Sequence, residues 1–203
     1  RLASGRITLR VIGGHPWRFR PIIAEVAGPD KRSLRCFGQR RQDPQMLQFS
    51  DPVPVGRAEL DEYMRFGLRA TERAGAATLP HFRAQVAIEN KRHDGRFDPV
   101  TEADRAAEQV FREALRAAYP RHGIFGEEYG FEAGNGLTWV IDPIDGTRAF
   151  MTGMLHWGLL LALFDGRKPV LGIMHQPFTG EFFFGDNRTA WYRRGGDDCA
   201  LHA

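Results

Sequence analysis

Asp142 and Asp145 stand three residues apart in Trp139-Val140-Ile141-Asp142-Pro143-Ile144-Asp145-Gly146-Thr147. An apolar, β-branched run ends at the first acid, and the proline after it cannot donate to a sheet ladder. Gly146 permits a backbone turn closed to most residues, and Thr147 is a natural N-cap for a helix. The pattern describes a buried strand that delivers two carboxylates to its C-terminal edge. It then turns into a helix start whose amides can hold an anion. Oxygen donors of this kind suit Mg2+, which keeps waters and is commonly shared between carboxylates and a phosphate. An EF-hand is excluded, because its acids alternate before the glycine. Asp-Pro and Asp-Gly are also ordinary turn dipeptides, so these letters alone fit a polar loop equally well.

Other acids repeat the theme. Ile124-Phe125 is a short apolar run followed by Gly126-Glu127-Glu128; the alternative for such a Glu pair is a solvated loop. Asp104 lies three residues after Thr101, which reads as an N-cap with Asp104 as its capping-box partner. The functional alternative is that Asp104 faces the site and orients a second hydroxyl. His156 and Trp157 open a strand beside this region, either as substrate contacts or as edge residues with satisfied side chains.

The elements that must carry these residues follow from periodicity. Leu60, Met64, Leu68, Ala70, Ala74 and Ala77 give a helical pattern from Ala58 to about Phe82, with Pro80 as a stop and Gly67 and Gly75 as points of close packing. Ala107, Val110, Phe111, Ala114 and Leu115 give a second helix that Pro120 ends. Leu137 to Ile141 is a strand, Glu132 to Gly136 a flexible connection, and Arg148 to Gly153 a short helical or irregular piece. His156 to Phe164 and Pro169 to His175 form a hairpin about Asp165-Gly166-Arg167-Lys168. Glu181 to Phe184 and Thr189 to Arg193 are further strands.

A hydrophobic content of 42% with 26% charged residues is that of a globular chain with a sizeable core. The net charge of +3 is small and scattered, which gives no case for nucleic acid. Lysine occurs only at Lys31, Lys91 and Lys168. Cys36 and Cys199 form no CxxC pair, so neither a disulfide framework nor a zinc site is expected. The longest apolar stretch, Leu159 to Phe164, is far short of a membrane span. With no secretory signal at the N-terminus, a cytoplasmic protein is expected. Residues 1–56 are rich in Arg and Pro and read as an extension, poorly ordered or loosely packed, ahead of the working domain of 57–203; since the first methionine is Met46, residues 1–45 read as outside that domain or as translated sequence upstream of the true start. A small packed subdomain is the alternative.

Asp98-Pro99-Val100-Thr101-Glu102-Ala103-Asp104, Gly126-Glu127-Glu128 and the run Trp139 to Thr147, in that order and at those separations, resemble the inositol monophosphatase superfamily of Mg2+-dependent phosphomonoesterases. Trp157 to Leu163 and Gly172-Ile173-Met174-His175-Gln176-Pro177 look most like the histidinol-phosphate phosphatases within it. The resemblance covers about residues 58 to 194. It implies an α/β layered sandwich, the N-terminal portion of an αβαβα fold. It implies that Glu127, Asp142, Asp145 and the Ile144 carbonyl bind metal, with Asp142 bridging two ions. Thr147, backed by Asp104, would orient and deprotonate the attacking water. Glu127, Asp145 and the amides of Gly146 and Thr147 would meet the substrate phosphate. Lys91 falls in a region that closes over the site in relatives.

One departure stands out. In the family a further aspartate ligand comes from a later Trp-Asp pair, but Trp17, Trp139, Trp157 and Trp191 are followed by Arg18, Val140, Gly158 and Tyr192. The chain therefore reads as the N-terminal half to two-thirds of such an enzyme. The expectations are a bared apolar sheet face, an incomplete second metal site and weak turnover. The leading function is hydrolysis of histidinol phosphate. Inositol 1-monophosphate or a nucleotide 3'-phosphate is the alternative, and a catalytically silent metal-binding fragment is the alternative of another class. A homodimer is expected of the full-length protein.

Overall fold

The computed structural model describes residues 51–84, 88–90 and 99–201. Lys91, Cys36 and all of residues 1–50 lie outside the described residues. Helix α1 spans Arg57–Thr78 and passes into a 3-10 turn, Leu79–His81, where Pro80 ends it. Strands β1 (Ile88–Asn90) and β2 (Pro99–Thr101) pair antiparallel and lead into α2, Glu102–Ala118. The chain then runs through β3 (Gly123–Gly126), β4 (Gly130–Glu132) and β5 (Thr138–Asp145). A short α3 (Thr147–Met151) precedes β6 (Gly158–Phe164), β7 (Pro169–Gln176), β8 (Glu181–Asp186), β9 (Ala190–Arg194) and β10 (Asp197–Leu201).

Eight strands form one sheet in the order β10-β9-β8-β7-β6-β5-β3-β4. All pairs are antiparallel except β3 and β5, which run side by side in the same direction. The β6–β7 hairpin forms about the expected turn, where Asp165 Oδ1 accepts the amides of Arg167 and Lys168. The period of two sends Trp139, Ile141, Leu159, Leu161, Leu163, Leu171 and Ile173 to one face, where they join Phe111 and Leu115 of α2 and Leu68 and Ala74 of α1 in a single core. Helix α1 can lie close because a Cβ on Gly67 would come 2.6 Å from Ile173 Cδ1, and one on Gly75 2.8 Å from His175 Cδ2.

The structure departs from the expectations at several points. The Glu132 to Gly136 connection is not simply flexible: it opens with β4, and Asn135 N donates to Arg121 O at 2.8 Å. Strand β10 is short, opens on two acids and follows Gly195-Gly196, so periodicity gave no sign of it. The sheet's other face is bared only in part: Phe125, Val140, Ala162 and Phe164 are buried, while Leu160, Met174 and Phe183 are half-buried. Phe125 packs edge-on to Phe131 at 6.1 Å, and the exposed large apolar residues among those described sit on loops and turns. Residues just before the expected domain start also dock: Val53 N donates to Asp165 O at 2.8 Å, and Val53 and Val55 pack on the core.

Candidate active site

Strand β3 is buried along its whole length, and Glu127 is the first residue beyond it. In the parallel pair, Gly126 lies opposite Ile141. Glu127 and Asp142 therefore leave neighbouring strand ends on the same edge of the sheet. Asp142 pairs with Leu160 and Asp145 with Gly158, with a slip in register between them. That slip corrects the expectation that the strand stops at Asp142. Pro143 has no N–H to give, so a bulge absorbs it, and the ladder resumes at Asp145. Ile144, 2% exposed, anchors the bulge in the core and leaves the two acids on either side of it.

Gly146 ends the strand with φ +88°, and a Cβ there would lie 2.4 Å from the His156 carbonyl oxygen. Only glycine meets both demands. Gly146 is also the cap of α3, and Thr147 is the first helical residue rather than the N-cap expected from its type. Its hydroxyl instead donates back to the Ile144 carbonyl at 3.1 Å. Because α3 has only five residues, its dipole is slight.

Asp104 is buried in the first turn of α2, where Oδ2 accepts Thr101 N at 2.8 Å and Thr101 Oγ1 at 2.6 Å. The capping-box reading is thus present in the structure. Strand β2 packs against α3, which puts the Thr101–Asp104 cap and Thr147 on adjoining elements. Trp157 is a core residue, 2% exposed, between the rings of Phe82 and Phe150. His156 contributes its carbonyl to the crowding of Gly146.

The Asp145 carboxylate keeps contact with solvent, yet protein surrounds it closely enough for desolvation to raise its pKa above the ordinary value. Asp142 Oδ1 is buried and accepts no hydrogen bond, within a side chain that is otherwise engaged. Among the described residues, no three His, Cys, Asp or Glu side chains lie close enough to hold a metal ion by themselves. The three acids share an edge without forming a closed cage of their own. Carboxylates, one carbonyl and an open arrangement do not suit a closed structural zinc site. They fit Mg2+, which takes one or two carboxylates, retained water and substrate oxygens rather than an all-protein shell.

Two residues that sequence reasoning missed stand behind Glu127. Glu108 is fully buried and Arg112 is 3% exposed, and they form an ion pair at 2.7 Å on α2. Their signal was present: residues 104, 108 and 112 each follow the core positions Ala103, Ala107 and Phe111 by one.

A profile of the inositol monophosphatase family matches residues 59–195. Histidinol-phosphatase of Chlorobaculum parvum is 38% identical over 134 residues, 65% of this chain and 51% of that protein. The chloroplastic bifunctional phosphatase IMPL2 of Arabidopsis thaliana is 35% identical over 166 residues, 80% of this chain and 47% of that protein. That match is longer than residues 57–203 can supply, so similarity reaches back into the Arg/Pro-rich segment, against the expectation that it stops there. Among solved structures, an IMPase from Thermotoga maritima aligns with a TM-score of 0.61 and 29% identity, covering 66% of this chain and 52% of that one. The chain spans about half the length of the relatives it matches.

Proposed function

Because the chain belongs to the inositol monophosphatase family, we propose that it forms the metal-binding part of a Mg2+-dependent phosphoric monoester hydrolase. Its substrate is a small phosphorylated metabolite, histidinol phosphate ahead of inositol 1-monophosphate. The similarity to a histidinol-phosphatase supports that order, while the resemblance to an IMPase keeps the second substrate in the comparison. The observation that carries the reading is the parallel register of β3 and β5, which brings Glu127 and Asp142 out side by side with Asp145 just beyond the bulge.

Glu127, Asp142, Asp145 and the Ile144 carbonyl would hold the metal. When bound it supplies charge neutralisation for an anionic ester and a more acidic water. The chain's own residues do the positioning. The Thr147 hydroxyl, directed at Ile144 O, lies on the donor edge and can turn to a water there. Asp104, buried and already accepting two bonds from Thr101, is the reserve of negative charge from which a proton-accepting path to Thr147 would start. The amides of Gly146 and Thr147 are the anion contacts, and their placement follows from the left-handed turn at Gly146. The protein would act in the cytoplasm and, at full length, as a dimer. Among the described residues no helix is long and apolar enough to cross a membrane.

Calorimetric titration of this chain with Mg2+ tests the reading, alongside phosphate release from the two substrates. Binding that Asp142→Asn abolishes supports it, and binding without turnover would identify a silent metal-binding part. Undiminished binding in Asp142→Asn would remove the metal assignment.

A further inference from the structure

The Glu108–Arg112 pair is an unusual choice for the face of a helix that packs on a sheet. Two charges taken out of water are stabilised only where hydrogen bonds satisfy the remaining oxygens and protons. Here the partners are not solvent but the turn that follows β3. Glu108 Oε2 accepts the amide of Glu128 at 2.6 Å, and Oε1 accepts the amide of Tyr129 at 3.2 Å together with Arg112 Nε at 2.7 Å. Arg112 donates Nη1 to Glu132 at 2.6 Å and Nη2 to the Gly130 carbonyl, and its guanidinium lies 5.8 Å over the Tyr129 ring. Gly126 completes the fit, because a Cβ there would come 2.0 Å from Glu108 Oε1. Every backbone group bound in this way lies within three residues of Glu127, on its C-terminal side.

We propose that Glu108, braced by Arg112, is a positioning residue that fixes the Glu127–Gly130 turn so that the Glu127 carboxylate emerges beside Asp142. The inference rests on the reading of Glu127 as a metal ligand. Groups that orient a ligand from behind commonly set metal affinity as strongly as some ligands do. Glu108 does this through two backbone amides rather than through the ligand's own side chain.

The test compares Mn2+ affinity, read by water-proton relaxation, in the full chain and four variants: Glu108→Gln, Arg112→Lys, Glu127→Gln and Leu115→Val. Leu115→Val trims the same helix face without touching the turn. The expected result is a loss of about 10–100-fold in Mn2+ affinity for Glu108→Gln. A smaller loss is expected for Arg112→Lys, which keeps the charge but not the fork, and none for Leu115→Val. If Glu108→Gln lowers stability as Leu115→Val does but keeps its Mn2+ affinity, the positioning role is overturned while the metal reading stands. If Glu127→Gln keeps its affinity, the metal reading itself fails. Should Glu108→Gln not fold, hydrogen exchange on the unaltered chain decides: slow amides at Glu128 and Tyr129 support the clamp, and fast ones overturn it.

Discussion

The two strand ends that carry the acids are held by different means. The end of β3 is clamped from outside, by a buried ion pair on α2 that binds the following turn. The end of β5 is shaped from within, by a proline bulge, a left-handed glycine and one turn of helix. A clamp made of side chains depends on charge and reach, and one truncation undoes it. A shape made of backbone depends on which residues can adopt it, and only substitutions that add atoms or change φ disturb it.

The sharpest way to separate the two is to cut the clamp. Glu108→Ala leaves the Arg112 guanidinium buried with only Glu132 and the Gly130 carbonyl as partners. Breaking a buried pair from one side destabilises strongly, and about 3 kcal/mol is expected here, the lower end of the range because Glu132 remains. Urea unfolding measures it, and a loss below about 1 kcal/mol, the worth of an exposed pair, would show that the clamp is solvated.

The backbone-built end is tested at Gly146. A φ of +88° carries a strain of about 1–3 kcal/mol for a residue with a side chain. Asparagine tolerates such a φ better than alanine does. Yet any Cβ meets the His156 carbonyl oxygen at 2.4 Å. Gly146→Ala and Gly146→Asn are therefore both expected to destabilise and to weaken metal binding. A stable Gly146→Asn would mean that φ alone demands the glycine.

The same division explains what could be read from the letters. The β5 segment was legible because its shape is coded by residue types at adjacent positions: Pro143, Gly146 and the acids. Even so, the proline suggested an end where the chain makes a bulge, and Thr147 suggested a cap where Gly146 takes that place. The Thr101–Asp104 box and the β6–β7 turn were legible for the same local reason. The clamp was harder to read: Glu108 and Arg112 sit one residue after core positions, but four residues apart they also look like a surface pair on any helix. Only the sheet packed beneath α2 makes them interior. Strand β10 was missed because its pairing with β9, partly held by Arg193 on Asp198 at 2.8 Å, is not written in its own hydropathy.

A milder change reaches the start of α2. Thr101 donates its hydroxyl to Asp104, and the cap is buried. Thr101→Ala is expected to cost about 1 kcal/mol of stability, as lost N-caps do. It should leave the Glu127 turn untouched, because Glu108 lies a full turn further along the helix. Unchanged amide exchange at Glu128 and Tyr129 in that variant would confirm that the cap and the clamp act separately.

The two strands are also tied at their opposite ends, and pH tests that tie. Trp139 Nε1 donates to His122 Nδ1 at 3.2 Å, so the bond requires that nitrogen to carry no proton. Burial lowers the His122 pKa, with Arg121 adding to it, and burial likewise lowers that of His175, which stacks on Phe182 at 3.8 Å. Above the ordinary histidine value of 6.5 both states are neutral and stability is complete. As pH falls through that value the unfolded chain takes up protons first, so stability drops until the folded histidines titrate as well. The depressed carboxyls of Glu132 and Asp186 add their loss only at lower pH, near and below the ordinary carboxylate range. Asp145, its pKa raised, acts in the opposite sense by gaining its proton more readily in the fold. The urea midpoint is thus expected to be lower at about pH 5.5 than at about pH 7.5. Part of that difference should vanish in His122→Gln, which keeps an acceptor for Trp139 but cannot titrate. An equal drop in His122→Gln would place the whole effect on His175 and leave the Trp139–His122 tie insensitive to acid.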